Sequence, residues 1–165
     1  MRVGDDHTMA AVTRLLTFVD IANADDAELD ARSRALTARH EAILADGRRV
    51  VLLDDRGWSE TQRVTGGREL SEEDRGRLEV DSPDIWRSET VEEMKRTARF
   101  VVGPDEPFEG HSQAEMEAGH WDTLARSLRQ HGIEVAAAEL KALRHDVELS
   151  DRVLARLGRD RGDVR

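Results

Sequence analysis

Three helix-start signals, spaced between short apolar runs, constrain the fold of this chain more than any other feature. In each signal a Ser, Thr or Asp stands three residues before a Glu, and such a pair caps the first free backbone N–H groups of a helix. The pairs are Asp25 with Glu28, Thr90 with Glu93, and Ser112 with Glu115. Because the apolar runs between these signals have the length of strands, the chain is predicted to combine helices with a small sheet.

The first third of the chain predicts two strands joined by a helix. Residues 12–21 carry a helical stripe of apolar positions but also the β-branched and aromatic residues of a strand, and we interpret them as a strand. A helix is predicted over residues 25–45, because a capping box opens it and Asp46-Gly47 ends it. The apolar run at 48–54 then predicts a buried strand, so the three elements form a βαβ unit with a parallel strand pair.

Turn residues and a long polar segment follow the second predicted strand. Asp55-Arg56-Gly57 would allow a hairpin into an antiparallel strand around Trp58, which is the alternative to a chain that leaves the sheet there. Residues 59–84 are polar, contain glycine and show little periodicity apart from a short helix that Ser71 could begin. A segment of this length and composition is typical of a functional or mobile loop.

The second half of the chain predicts mainly helices. One helix starts after Thr90 and is followed by a short strand at 99–102, and a longer helix begins after Ser112 and ends at a glycine stop. Two shorter helices are predicted at 135–143 and 150–157, and the charged tail at 159–165 is expected to fray. We therefore predict one α/β or α+β domain over residues 1–165, with a three- to four-stranded sheet covered by helices and a helical C-terminal third.

Charge limits the partners that such a domain can bind. Charged residues make up 36% of the chain and its formal net charge is -10, so its field repels nucleic acid and anionic lipid surfaces. No apolar run approaches the length of about 20 residues that a membrane span requires. The chain has no cysteine, and its first residues are acidic where a secretory signal is basic. We expect a cytoplasmic protein that binds neither nucleic acid nor membranes.

Carboxylates follow the predicted strands and suggest a metal site as one function. If the strands are parallel, their ends bring Asp20, Asp54 and Asp55 to one edge of the sheet, together with Asp105 and Glu106. Such a cluster could bind Mg²⁺ and support an enzyme that acts on phosphate-containing substrates. The alternative interpretation is that these acids only cap helices and form turns.

Histidines give a weaker signal than the strand-end acids. His111, Glu115, Glu117 and His120 lie close together in the sequence, but their spacing matches no metal-binding motif. His120 lies on the apolar stripe of its helix and His40 lies between apolar residues, so both are interpreted as hydrogen-bonded core histidines. The sequence contains no nucleophile elbow, phosphate-binding loop or dinucleotide motif, which favours a protein that is not an enzyme.

The leading hypothesis is an acidic protein-binding module that neutralises or regulates a basic protein and needs no cofactor. Small acidic domains act in this way as immunity or antitoxin partners of basic toxins, an analogy from size and charge alone. The expected contact surface combines acidic loop residues with two tryptophans that flank the polar segment, as its anchors or as exposed hot spots. These residues are Asp105, Glu106, Glu109, Glu72, Glu73, Asp74, Trp58 and Trp86. A magnesium-dependent enzyme and a structural subunit are the alternative functions.

Overall fold

Four strands form one mixed sheet in the part of the chain that the computed structural model describes, which comprises residues 10–22, 33–61, 85–86 and 89–158. The strands are β1 (Val12–Ile21), β2 (Ser33–Leu44), β3 (Arg49–Thr61) and β4 (His145–Leu149). The helices are α1 (Val91–Val101), α2 (Gln113–Gln130), α3 (Ala137–Ala142) and α4 (Asp151–Gly158). The predicted mixed fold, with a small sheet and a helical C-terminal part, is confirmed as an α+β fold.

The sheet joins an antiparallel meander to one parallel strand. Its strand order is β3-β2-β1-β4. β1, β2 and β3 are antiparallel neighbours, whereas β4 lies parallel to β1. β1 and β3 therefore run in the same direction, but β2 lies between them and is a strand, so the predicted βαβ unit with these two strands as a parallel pair is wrong. The parallel pair of the sheet is β1 with β4.

The helix predicted over residues 25–45 is wrong in its C-terminal part, where the chain forms β2. The apolar spacing there suits a helix, but Leu36, Ala38 and His40 also alternate with more polar residues. In the structure these three residues are buried and the two residues between them are exposed, which is the period of two that a strand requires. Hydrogen bonds to β1 on one side and β3 on the other decide between the two patterns. Residues 25–32 lie outside the described residues.

β3 confirms the strand predicted at 48–54 and continues it to Thr61 without the alternative hairpin turn. Gly57, which was expected in that turn, instead pairs with Thr37 of β2. A Cβ atom at Gly57 would lie 2.3 Å from the carbonyl oxygen of Leu36, so glycine is needed here for the close approach of two backbones. Of the predicted polar loop at 59–84, the first three residues belong to β3, and residues 62–84 lie outside the described residues.

The two capping boxes in the second half are confirmed. Thr90 and Glu93 bond reciprocally at the start of α1, and Ser112 and Glu115 do so at the start of α2. His131 is the C-cap of α2, and the next residue, Gly132, has a positive φ of 75°, the conformation that commonly stops a helix.

The strand predicted at 99–102 is wrong, because these residues form the last turn and the C-cap of α1. Met94, Ala98 and Val102 are buried at intervals of four, whereas Phe100 is 72% exposed. This is the period of a helix that buries one face, and it continues through the apolar run without interruption.

The last part of the chain holds one strand that the sequence analysis missed. The two predicted short helices are confirmed as α3 and α4. Between them β4 pairs with β1 over five residues, although its sequence HDVEL contains three charged or titratable side chains. The predicted frayed tail at 159–165 lies outside the described residues.

Two apolar clusters pack the described helices onto the sheet. The first joins β1, β2 and β3 to α2 and α3 through residues such as Leu15, Leu124 and Leu128, and the second joins the sheet to α1 and α4 through Met94 and Val153. Each of these five side chains is at most 1% exposed. No described helix is both long and apolar enough to cross a membrane.

Candidate functional site

A cleft of about 410 Å³ opens between β3, the loop of residues 103–111 and α2. We call it the acidic cleft. Its floor includes Leu124, which also belongs to the first apolar cluster, so the cleft lies directly above the core. The other lining residues come from three elements: Leu53 and Arg56 of β3; Asp105, Phe108 and His111 of the loop; Glu115, Met116, Gly119, His120 and Thr123 of α2.

An ion pair fixes the 103–111 loop to the sheet. Nη1 of Arg56 donates a hydrogen bond of 2.6 Å to Oδ1 of Asp105. This bond lowers the pKa of the Asp105 carboxyl and raises the pKa of Arg56, so both groups are charged at neutral pH. The part of the loop around Asp105 is therefore held against β3 in the absence of a ligand.

The turn at the end of the same loop presents an aromatic ring to solvent. Glu109 and Gly110 have positive φ angles of 51° and 81°, and the amide of His111 donates a 3.0 Å hydrogen bond to the carbonyl oxygen of Phe108. The Phe108 and His111 rings meet edge to face with their centroids 5.8 Å apart. Phe108 is nevertheless 54% exposed, so a large apolar surface stands at the mouth of the cleft.

The α2 wall of the cleft carries one neutral ring and one carboxylate. Burial, and secondly the nearby Arg56 guanidinium, lower the pKa of His120, so this imidazole is neutral at pH 7. Oε2 of Glu115 accepts a 2.6 Å hydrogen bond from the backbone amide of Ser112 and lies 3.9 Å from Nδ1 of His111. The Glu115 side chain remains 63% exposed and can still meet a ligand.

The structure divides the predicted contact residues into three groups. Asp105 lines the acidic cleft, and Glu106 and Glu109 are exposed on the same loop. Trp86 is 2% exposed and Trp58 is half-buried, and both rings pack in the second apolar cluster. The remaining predicted contact residues, Glu72, Glu73 and Asp74, lie outside the described residues.

The three carboxylates of the metal hypothesis lie in different surroundings. Oδ1 of Asp20 accepts hydrogen bonds from Ser150, Arg152 and its neighbour's amide, and although burial raises its pKa, these bonds together lower it. Asp54 and Asp55 are exposed within β3 rather than at its end. Across residues 10–22, 33–61, 85–86 and 89–158, no three His, Asp or Glu side chains converge in a group that could hold a metal ion.

A second cluster of polar side chains is buried at the sheet. The prediction of a hydrogen-bonded core histidine at His40 is confirmed, but its neighbours Thr17 and His145 were not predicted. The Thr17 hydroxyl lies 2.9 Å from Nδ1 of His40 and 2.7 Å from Nε2 of His145. The two rings stand edge to face with centroids 4.8 Å apart, and Thr17 and His40 are at most 1% exposed. Burial is the main cause that lowers the pKa of His40 to about 3 and that of His145 to about 4, so both rings are neutral.

The sequence signalled parts of the acidic cleft but not its assembly. Asp105 was noted as part of an acidic loop, and His111, Glu115 and His120 were noted as neighbours in sequence. Arg56 and Phe108 were missed, because nothing local shows that a residue in the middle of β3 will pair with a loop 49 positions later. Comparisons of the chain with protein-family models, with curated proteins and with solved structures found no match.

Proposed function

We propose that this protein is a protein-binding module that recognises a basic partner through the acidic cleft and the 103–111 loop. The observation that carries the proposal is Phe108, a half-exposed aromatic ring at the mouth of the cleft, on a loop with three carboxylates. Aromatic side chains in such positions commonly supply much of the binding energy of an interface. The surrounding carboxylates supply the preference for a basic partner.

Preorganisation supports the same proposal. The Arg56–Asp105 ion pair holds the loop against β3, so a partner does not have to order the loop when it binds. The net charge of -10 adds a long-range field that attracts a basic protein and raises the rate of encounter. The loop then provides the specific contacts and the field provides the steering.

The biological role that fits this chemistry is neutralisation or regulation of the basic partner. An immunity-like or antitoxin-like protein binds its target tightly and blocks it without chemistry of its own, which agrees with a small acidic domain of this size. A chain without cysteine is suited to the reducing cytoplasm, where we place this role.

Selection from a random peptide library displayed on phage tests the proposal. We expect the peptides that bind the protein to be rich in Arg and Lys, and the variant D105N/E106Q/E109Q to lose them. The matched control is D122N/E134Q/E148Q, which removes the same charge from exposed residues outside the cleft. This control should keep the binding of the selected peptides.

Stopped-flow measurements on a selected peptide give the rate. The loop variant is expected to lower the association rate about three- to tenfold at low salt, and the difference should shrink at about 0.15 M salt. If the selected peptides carry no excess of basic residues, or bind the loop variant and the control variant equally well, the proposed function is wrong.

A further inference from the structure

We propose that the acidic cleft binds an arginine side chain of the partner. This inference rests on the proposed function and specifies the chemistry of its central contact. An arginine combines an aliphatic chain with a planar cation that donates several hydrogen bonds, and the cleft offers a matching surface for each of these parts.

The walls of the cleft suit the aliphatic part. Leu53 and Met116 are half-buried side chains on opposite walls, and the buried Leu124 lies beneath them. Long basic side chains commonly lay their methylene groups along such apolar surface while the charged end stays near water. A volume of about 410 Å³ exceeds what one side chain needs, so the cleft can hold an arginine side chain together with the water molecules that solvate it.

The carboxylates of the cleft suit the cation. Asp105 and Glu115 come from different elements and line the same cleft, and more than half of each side chain is exposed. Arg56 balances the charge of Asp105, with which it is paired, and the lowered pKa of His120 keeps that ring neutral, so Glu115 is the lining carboxylate whose charge no arginine among the described residues balances. With Glu106 and Glu109 on the same loop, the local charge is negative.

Two features favour arginine over lysine. The exposed ring of Phe108 offers a face on which a planar guanidinium can stack, a contact made more often by arginine than by lysine. The exposed Glu115 carboxylate can accept two hydrogen bonds from one planar guanidinium, a paired geometry that an ammonium does not offer. A lysine ammonium is a compact point charge without a planar face, so it cannot stack on the ring in the same way.

Titration of three capped tripeptides into the full chain tests the inference. The probes are acetyl-Gly-Arg-Gly-amide, its lysine counterpart and its citrulline counterpart, which keeps the shape of arginine but has no charge. Two-dimensional NMR follows the backbone amides of Gly119, His120 and Thr123, which lie in the cleft. We expect saturable shifts of these amides with the arginine peptide, with a dissociation constant of about 1–10 mM. The lysine peptide should bind more weakly and the citrulline peptide should not saturate.

Glu115→Gln is the decisive variant, since glutamine keeps the capping bond to Ser112 but removes the charge. It should weaken binding of the arginine peptide about two- to fivefold. The control Asp122→Asn, an exposed residue of the same helix outside the cleft, should not change it.

The inference is overturned if the shifts map only to the loop surface around Glu106, if citrulline and arginine bind equally, or if Glu115→Gln has no effect. These outcomes leave the proposed function in place, because basic peptides selected from the library could still bind to the loop. Failure of the library selection, in contrast, removes the function itself.

Discussion

Histidines lie in two regions of the protein, one in which the polar groups are buried and one in which they are accessible to solvent. At the sheet, Thr17, His40 and His145 form a closed cluster in which the polar atoms bond to one another. In the acidic cleft, the neutral His120 lies with the carboxylates of Asp105 and Glu115, which remain accessible in an open cleft beside an exposed aromatic ring. The polar groups of the closed cluster therefore contribute to the stability of the fold, whereas those of the acidic cleft are available for a ligand.

The hydrogen bonds within the closed cluster explain why its two imidazole rings stay neutral. The Thr17 hydroxyl has one proton, so it donates to one imidazole nitrogen and accepts an N–H hydrogen bond from the other ring. This arrangement fits two neutral rings. Protonation would place a positive charge between β1, β2 and β4, beside the other imidazole and within reach of the Arg99 guanidinium that already lowers the pKa of His145.

Acid should therefore produce the largest effect that separates the two regions. In the unfolded chain His40 binds a proton near pH 6.5, whereas in the folded protein its pKa is about 3. The unfolded state thus binds more protons between these values, so the free energy of unfolding falls as the pH is lowered from 6.5 towards 3. From pH 7.5 to 4.5 we expect His40 alone to remove about 3 kcal/mol, measured by urea unfolding.

The variant His40→Gln identifies the group responsible. It should reduce the slope of stability against pH between 6 and 5 by about 1.2 kcal/mol per pH unit, because the unfolded imidazole binds nearly one proton in this range. The same slope in the variant and in the original protein would show that the closed cluster does not govern the acid response.

Removal of the shared hydroxyl should have the next largest effect. Thr17→Val keeps the shape and the β-branched character of the residue but leaves two imidazole nitrogens without their partner. An unsatisfied buried polar group costs about 1–3 kcal/mol, and thermal and urea unfolding should show a loss in this range. As a comparison, Thr123→Val alters a hydroxyl in the acidic cleft and should cost less, because Thr123 is exposed. Equal losses would contradict the division into a closed and an open region.

Loss of the ion pair in the acidic cleft should have the smallest effect on stability. Asp105→Asn removes the charge that pairs with Arg56, but the Asp105 side chain is 58% exposed, and such pairs contribute only about 0–1 kcal/mol. The unfolding free energy should change by no more than this amount, whereas binding of a basic peptide should weaken. A large loss of stability would show that Asp105 supports the fold and does not serve only the binding surface.

The sequence predicted the helix starts and helix ends that depend only on residues close together in the chain. The capping boxes at Thr90 and Ser112 were recognised because each partner stands three residues away. Gly132 marked the end of α2, because a glycine that directly follows an apolar helical stripe commonly stops the helix. The negative field also follows from the composition alone, since it requires only the sum of the charges.

Tertiary structure decided the elements whose patterns fit two conformations. The residues of β2 satisfy a helical and an extended period, and only pairing with β1 and β3 selects the strand. The five residues of β4 are too few and too polar to be recognised without the neighbouring β1. The strand predicted at 99–102 failed because its apolar residues continue the buried face of α1.

The closed cluster and the acidic cleft show most clearly which features cannot be predicted from the sequence alone. Net charge and the helix starts were determined by the sequence itself, because composition and contacts within one helical turn need no knowledge of the fold. The contacts of Thr17 with His40 and His145 span 23 and 128 positions, and that of Arg56 with Asp105 spans 49. Such contacts exist only after the strand order and register are set, and therefore only the tertiary structure decided which partners the enclosed histidines contact and which carboxylates line an open cleft.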